Sequence, residues 1–383
     1  MLRILFTGGG TGGHIYPILA VAEELKSLEK TVGIEIDLRY IGSPDRFGTV
    51  LENNGIKVDK IFSAKLRRYF DLRNILDFLK LPVSFFQAFW KLFWMMPDVL
   101  FSKGGPGALP IVLAARLYRI PVVIHESDSV PGLANRLSAK FASRVAVSFA
   151  SAAKLLNNKN IALVGNPIRR ELLEQGTAPA EAKKNFGFSP DAPLILVIGG
   201  SQGSTRINNF FLDIAGELIK NYQILHQTGL KNFDEIKKEL DVVLKNLSAE
   251  EKARYKIAPY FEENIKDAYS AADLIVSRAG SGSIFEIAAM GKPSVLIPLP
   301  EAAHNHQSLN AFEYAKGVLP VWQGAALVLE EENFKPNILL DQLRRLFGEP
   351  GRLASMSQAA KNFSKPEAAK TIAEEILNLT KIY

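Results

Sequence analysis

Two doubly wound α/β domains in tandem are the fold this sequence predicts, and three observations predict it. Short β-branched or apolar runs alternate with stretches of helical periodicity. The chain opens as strand, glycine turn and helix, and the same order restarts at Leu194. A breaker-rich stretch between residues 165 and 193 separates the halves. Strand–helix alternation implies crossover connections, which pair strands in parallel and cover both faces of the sheet.

In the first half the predicted strands are Leu2–Phe6, Ile36–Ile41, Val99–Ser102, Val122–His125 and Val145–Val147. Ile15, Ile18, Leu19, Ala22 and Leu25 fall at helical spacing, so Ile15–Leu25 reads as an amphipathic helix. Pro17 sits in its first turn, where a missing N–H does little harm. Gly165-Asn166-Pro167 stops the first half, and residues 176–180 and 189–193 are rich in glycine, proline and alanine. The second half begins with the continuous apolar run Leu194–Ile198, then Gly199–Gly203, then a helix with Ile207, Phe210, Phe211, Ile214 and Leu218 on one face. Further strands are expected at Ile224–His226, Lys256–Ala258, Leu274–Val276, Val295–Pro298 and Val318–Val321.

Bulk properties exclude several function classes. At 383 residues the chain is too long for one ordinary core and suits two domains. With 47% hydrophobic and 22% charged residues it has the balance of a globular protein, not a disordered one. It has no cysteine, which removes disulfides and thiolate chemistry and fits a reducing compartment. No targeting segment is expected, since the opening apolar run is too short for one. The longest greasy stretch, Leu81 to Met96, carries Lys91 and is shorter than the ~20 residues of a membrane span. The net charge of +6 comes without a basic, aromatic-studded nucleic-acid module, so no nucleic-acid partner is expected.

Three loops could carry chemistry. Gly8–His14 lies between a strand and a helix, where backbone N–H groups and the helix dipole favour an anion. It contains Gly8-x-Gly10-x-x-Gly13, a dinucleotide fingerprint. That reading wants an acid at the end of the second strand, and Glu35 and Asp37 stand at its start. Glycines needed only for a tight turn are the plainer alternative. Gly199–Gly203 is the second loop, with hydroxyls at Ser201, Ser204 and Thr205. Neither loop ends in the Gly-Lys-Ser/Thr of a P-loop, which argues against an ATPase. The third runs Ser277-Arg278-Ala279-Gly280-Ser281-Gly282-Ser283 into a helix carrying Glu286. That carboxylate could accept hydrogen bonds from a ribose diol, or simply complement the helix dipole.

Taken in order, the segments resemble the MurG-type N-acetylglucosaminyltransferases, which act on a lipid-linked muramoyl-pentapeptide (lipid I) in peptidoglycan synthesis. The matching pieces are Gly9-Gly10-Thr11-Gly12-Gly13-His14, Lys103-Gly104-Gly105, Pro121–Glu126 with Pro131–Asn135, and Gly165-Asn166-Pro167-Ile168-Arg169. They continue with Gly199–Gly203, Arg278–Glu286, and His306-Gln307 with Asn310. The resemblance implies a GT-B architecture, two Rossmann-like domains facing each other across a cleft. It implies an acceptor- and membrane-side domain over residues 1–164, a UDP-GlcNAc donor domain over 165–361 and a helix over 362–383 that crosses back. Arg169 with Ser201, Gln202 and Gly203 would hold the diphosphate, Glu286 the ribose, and the backbone near Phe261 the uracil. Ser281, Gln307 and Asn310 would read the sugar, and Thr11, Gly12 and Gly13 would add donor contacts. His14 is the favoured general base, with Glu126 second and His125 third; a structural or phosphate-binding role for His14 is the alternative. Gly104, Gly105, Asp128 and Asn135 would face the acceptor. Asp128 departs from the family, where many members carry asparagine; an ionised carboxylate there could accept a hydroxyl's hydrogen bond or serve as an alternative base, but repels an acceptor phosphate. His306 likewise stands where some members carry glutamine. No Asp-x-Asp occurs, so no bridging metal is expected; single-displacement attack would invert the anomeric centre, and no cofactor is expected.

Residues 65–91 hold six bases against two acids, and Ile75, Leu79, Phe85, Phe86, Trp90 and Trp94 follow or interleave them. Apolar residues all round a helix mean either a core helix or a patch that dips into an anionic leaflet. The resemblance favours the patch, hence a cytoplasmic protein peripheral on the inner face of the bacterial membrane, with a cell-wall synthesis complex as a possible partner. Three rival functions stand beside this one. An oxidoreductase would leave the second and third loops without a role, and a non-catalytic sugar-nucleotide sensor would bind the donor without turnover. Another GT-B enzyme would differ only in its acceptor.

Overall fold

The structure, a computed structural model, describes residues 1–62, 73–200, 203–262, 264–300, 305–316 and 324–380, with side chains throughout except at residues 32 and 73–81. The chain forms two compact units, Met1–Arg170 with Lys365–Tyr383, and Glu171–Ser364.

The first unit is a seven-stranded sheet. Its strands are β1 (Leu2–Thr7), β2 (Ile36–Gly42), β3 (Lys57–Lys60), β4 (Val99–Ser102), β5 (Val122–Glu126), β6 (Arg144–Val147) and β7 (Ile161–Leu163). They lie in the order β3-β2-β1-β4-β5-β6-β7, every pair parallel. The chain order reverses between β1 and β4, and the carboxyl ends there are where α/β sheets hold ligands. The helix Gly12–Val32 ends at Gly33, whose left-handed backbone (φ +72°) lets its N–H close on the Glu29 carbonyl. The C-terminal helix Ala368–Asn378 belongs to this unit: Ala369, Ile372, Ala373, Ile376 and Leu377 share a core with Ile15, Ile18 and Leu25. Arg144 pairs with its Glu375 at 2.5 Å.

The second unit repeats the plan with β8 (Leu194–Ile198), β9 (Gln223–Gln227), β10 (Tyr255–Ala258), β11 (Leu274–Arg278), β12 (Ser294–Ile297) and β13 (Ala326–Val328), in the order β10-β9-β8-β11-β12-β13. The switch falls between β8 and β11, directly below the second and third glycine loops. The expected strand Val318–Val321 lies outside the described residues; β13 is the strand beside β12.

The aromatic helix Arg73–Met95 answers the core-or-surface question with both. Ser84, Ala88, Leu92 and Met95 are buried, and Phe86, Trp90 and Trp94 are exposed by 69%, 61% and 72%. Phe85 is a correction to the surface set: it is half-buried and packs with Phe89 on the core that holds Ile111 and Ile124. The side chains of Ile75 and Leu79 lie outside the described set. Among the described residues no helix is long and apolar enough to cross a membrane.

Candidate active site

In the first unit, β1 runs into the glycine loop and the loop is pinned from two sides. The Tyr40 hydroxyl donates to the Gly8 carbonyl (2.8 Å). A Cβ on Gly10 would stand 2.7 Å from the Ser43 carbonyl and from Asp45 Oδ2, so only glycine passes there. His14 lies in the first turn of the following helix, its ring over Gly9, with Nδ1 2.8 Å from Thr11 Oγ1. In the tautomer whose Nδ1–H donates to Thr11 Oγ1, Nε2, near Gly105, is the basic nitrogen. Burial and the nearby Lys103 ammonium push the His14 pKa down to about 4, against an opposing pull from Asp128 and although the residue as a whole is only half-buried.

Gly104 and Gly105 continue β4 with φ of +86° and +92°, and a Cβ on Gly104 would collide with the Asn135 amide. Asn135 is buried and donates to Glu126 Oε2 (2.9 Å) and to the His125 carbonyl (3.3 Å). Glu126 is buried as well. Its Oε1 accepts the Asp128 N–H (3.0 Å), and its Oε2 also accepts the Gly132 N–H (3.1 Å). Burial and the Asp128 carboxylate raise its pKa while these donors oppose the rise. Glu126 therefore knits the 126–135 loop with both oxygens engaged. His125 is fully buried, with Nδ1 2.6 Å from Lys103 Nζ and Nε2 2.9 Å from the Gly165 carbonyl. Both nitrogens are occupied, which corrects its ranking as a third candidate base. Arg169 stacks its guanidinium 5.3 Å from the Tyr16 ring centroid.

In the second unit, Ser201 and Gln202 lie outside the described residues. Gly200 and Gly203 flank them at φ +93° and +77°, and the Gly203 N–H donates to the Gly200 carbonyl (3.1 Å). Ser204 caps the helix Thr205–Asp213, accepting the Ile207 N–H at 3.4 Å. It also accepts from Arg278 (3.1 Å), whose buried guanidinium reaches Glu331 (2.7 Å) and the carbonyls of Ile297 (3.3 Å) and Pro298 (3.2 Å). One arginine thus ties the second loop, β12 and Glu331 together. Ser281 opens the helix Ser281–Ala289, and Glu286, half-buried one turn on, accepts the Tyr269 hydroxyl (3.0 Å). The Phe261 N–H donates to Gln227 Oε1 (3.0 Å), and Gln227 donates to the Gly200 carbonyl (3.2 Å). The N–H of Phe261 is therefore already engaged. Gln307 Oε1 accepts the Leu299 N–H (3.0 Å). Asn310 is fully buried and donates to the Ala279 carbonyl (3.4 Å) behind the third loop, a supporting position and not an open one.

Residues 4–147 match the glycosyltransferase family 28 N-terminal domain, and residues 194–372 match the C-terminal domain of the same family. The chain belongs to glycosyltransferase family 28. It is 38% identical to the UDP-N-acetylglucosamine--N-acetylmuramyl-(pentapeptide) pyrophosphoryl-undecaprenol N-acetylglucosamine transferase of Clostridium kluyveri, over 100% of both chains. It is 37% identical to a Bacillus cereus protein of the same name, numbered 2, over 98% of this chain and 99% of that one. The crystal structure of Acinetobacter baumannii MurG aligns with a TM-score of 0.73 at 26% identity, covering 99% of this chain and 100% of that one.

Within this family 28 chain, reasoning from sequence missed Lys103 and Arg278 as individual residues, although both are buried and each follows an apolar run and a serine at a strand end. A buried relay was missed too. The Tyr255 hydroxyl donates to His226 Nδ1 (2.9 Å), His226 Nε2 to Asn208 Oδ1 (3.0 Å), and Asn208 to the Thr228 carbonyl (2.9 Å). Burial pushes the His226 pKa down to about 3. The unfolded ring takes up a proton near pH ~6.5 and the folded one does not, so stability falls as pH drops below that value. Acidification from about pH 7 to about pH 5 removes about 2 kcal/mol through this ring. Thermal unfolding at both pH values is expected to show a smaller gap in His226→Gln than in the native protein.

Proposed function

We propose that this glycosyltransferase moves N-acetylglucosamine from UDP-N-acetylglucosamine to undecaprenyl-diphospho-muramoyl-pentapeptide, with inversion at C1. The full-length likeness to the Clostridium kluyveri transferase carries the reading, and the position of His14 supports it. Neutral at pH ~7, His14 accepts the proton of the attacking acceptor hydroxyl at Nε2. The new oxygen–C1 bond forms as the C1–phosphate oxygen bond breaks, and the electron pair leaves with UDP. Single displacement gives a β-linked product. On the donor side, the helix N-terminus after Gly203 favours the diphosphate anion, Ser281 and Gln307 take the sugar and Glu286 takes the ribose diol. Glu126, Asn135 and Asn310 act by positioning. Gly104, Gly105 and Asp128 serve the acceptor, with Thr11 orienting His14.

The test is UDP release from UDP-N-acetylglucosamine, with and without a lipid I analogue, in EDTA. Release that requires the analogue is the expected result. Donor binding without release would hand the site to another acceptor or to a sensor, and neither binding nor release would sink the reading.

The same reading puts Phe86, Trp90 and Trp94 against the anionic inner leaflet of the cytoplasmic membrane. Large exposed aromatics beside a basic segment suit that interface. The double variant Trp90→Glu, Trp94→Glu is expected to bind anionic phosphatidylglycerol vesicles about tenfold more weakly. Cosedimentation equal to that of the native protein would refute the patch.

A further inference from the structure

A lysine that the proposed chemistry leaves unused sits at the centre of the first unit's loops. Lys103 follows β4 and is 2% exposed. Its backbone N–H donates to the Thr7 carbonyl at the end of β1 (2.8 Å), and its Cβ stands against Gly8. Its Nζ donates to His125 Nδ1 (2.6 Å), to Ser127 Oγ and to Asn166 Oδ1 (3.2 Å). Three protons meet three acceptors, so the ammonium is fully used. With Nδ1 of His125 accepting, its Nε2 keeps the proton and donates to the Gly165 carbonyl at 2.9 Å. Gly165 and Asn166 lead directly to Arg169, and Ser127 precedes Asp128.

A buried ammonium is costly, and an apolar side chain of similar length would fill this volume without that cost. We propose that Lys103 is a positioning residue for transfer: through His125, Ser127 and Asn166 it holds the segment that carries Arg169 and the loop that carries Asp128 beneath the glycine loop of His14. The proposal rests on the transferase reading above.

Its charge has a second consequence. Burial lowers the Lys103 pKa to about 7, while Glu126 and Asp128 pull it back up. The charged groups that bear on His14 are Lys103 and Asp128. A cation there favours the neutral imidazole, so removing it raises the proton affinity of His14.

The experiment is a pH profile of kcat/KM for a lipid I analogue in native protein and in Lys103→Met, with UDP-N-acetylglucosamine binding measured alongside. The expected result is a fall of roughly tenfold near neutral pH with the acid limb moved up by about one pH unit and donor affinity within about twofold. An equal fall at every pH, with the limb in place, marks a merely structural lysine and overturns the proposal, as does an unchanged profile. If Lys103→Met does not fold, Asn166→Ala replaces it, removing one acceptor and keeping the ammonium. A fall of about threefold or more with the limb unmoved supports the proposal, and rates within about twofold overturn it. Native protein that releases no UDP defeats the transferase reading instead. The His14 imidazole titration followed by NMR then decides the electrostatic link without turnover, a rise of about one unit in Lys103→Met supporting it and no rise refuting it.

Discussion

His14→Ala is expected to lower kcat for transfer by about 10²–10⁴-fold, the range a positioned general base supplies, while UDP-N-acetylglucosamine binding stays within about twofold. The ring stands at the start of a helix, and with Nδ1–H donating to Thr11 Oγ1, Nε2 is the nitrogen that can take a proton. With its pKa near 4, His14 is neutral across the physiological range, and the acid limb of kcat/KM should lie near pH ~4 instead of the ~6.5 of an unperturbed imidazole. The sign follows from the base needing its lone pair: activity is present above the folded pKa and lost as pH falls through it. Glu126 gives the contrasting case. Both its oxygens are taken by Asp128, Gly132 and Asn135, so Glu126→Gln disturbs the loop and the thermal midpoint while leaving the limb where it was. A limb that disappears in Glu126→Gln, with His14→Ala retaining more than about a tenth of native activity, would transfer the base role to the glutamate.

The central strands were legible because parallel strands covered on both faces read as unbroken apolar runs, as in Leu194–Ile198 and Val99–Ser102. The edges were not. β3, Lys-Val-Asp-Lys, has a partner on one side only and carries the charges that protect an edge, so its sequence looks like a loop. β7 and β13 are apolar edge strands of only three residues, too short to show a period. The glycine loops announced themselves by composition, and the family resemblance supplied their order. What sequence could not supply was the layer behind them. Gln227 linking Phe261 to Gly200, Arg278 linking Ser204 to Glu331, and Lys103 linking His125 to Asn166 all join segments dozens of residues apart. Such contacts follow from strand order, which periodicity does not encode. Asn310 shows the converse, since motif order placed it among the sugar contacts and gave no sign that its side chain is wholly interior.

Gly203→Ala should be the most damaging small substitution on the donor side, raising the Kd for UDP-N-acetylglucosamine by about 10–100-fold, or about 1.4–2.7 kcal/mol. Its φ of +77° already costs an alanine about 1–2 kcal/mol. The added Cβ would also fall inside contact distance of the Thr228 carbonyl oxygen. That carbonyl cannot readily retreat, because the amides of Asn208 (2.9 Å) and Asn232 (3.2 Å) both donate to it and Asn208 is itself held by buried His226. Relief must therefore come from the glycine loop, whose Gly203–Gly200 hydrogen bond breaks as it moves off the helix N-terminus. Gly200→Ala is the matched control: its φ of +93° is equally unfavourable, yet a Cβ there meets no atom of the described residues within 4 Å. Conformational strain alone predicts the same loss of donor affinity in both variants, whereas the collision predicts a loss several times larger in Gly203→Ala. Calorimetric titration of UDP-N-acetylglucosamine into the two variants separates these cases, and equal affinities would show that the loop, not the Thr228 carbonyl behind it, sets the geometry for the diphosphate.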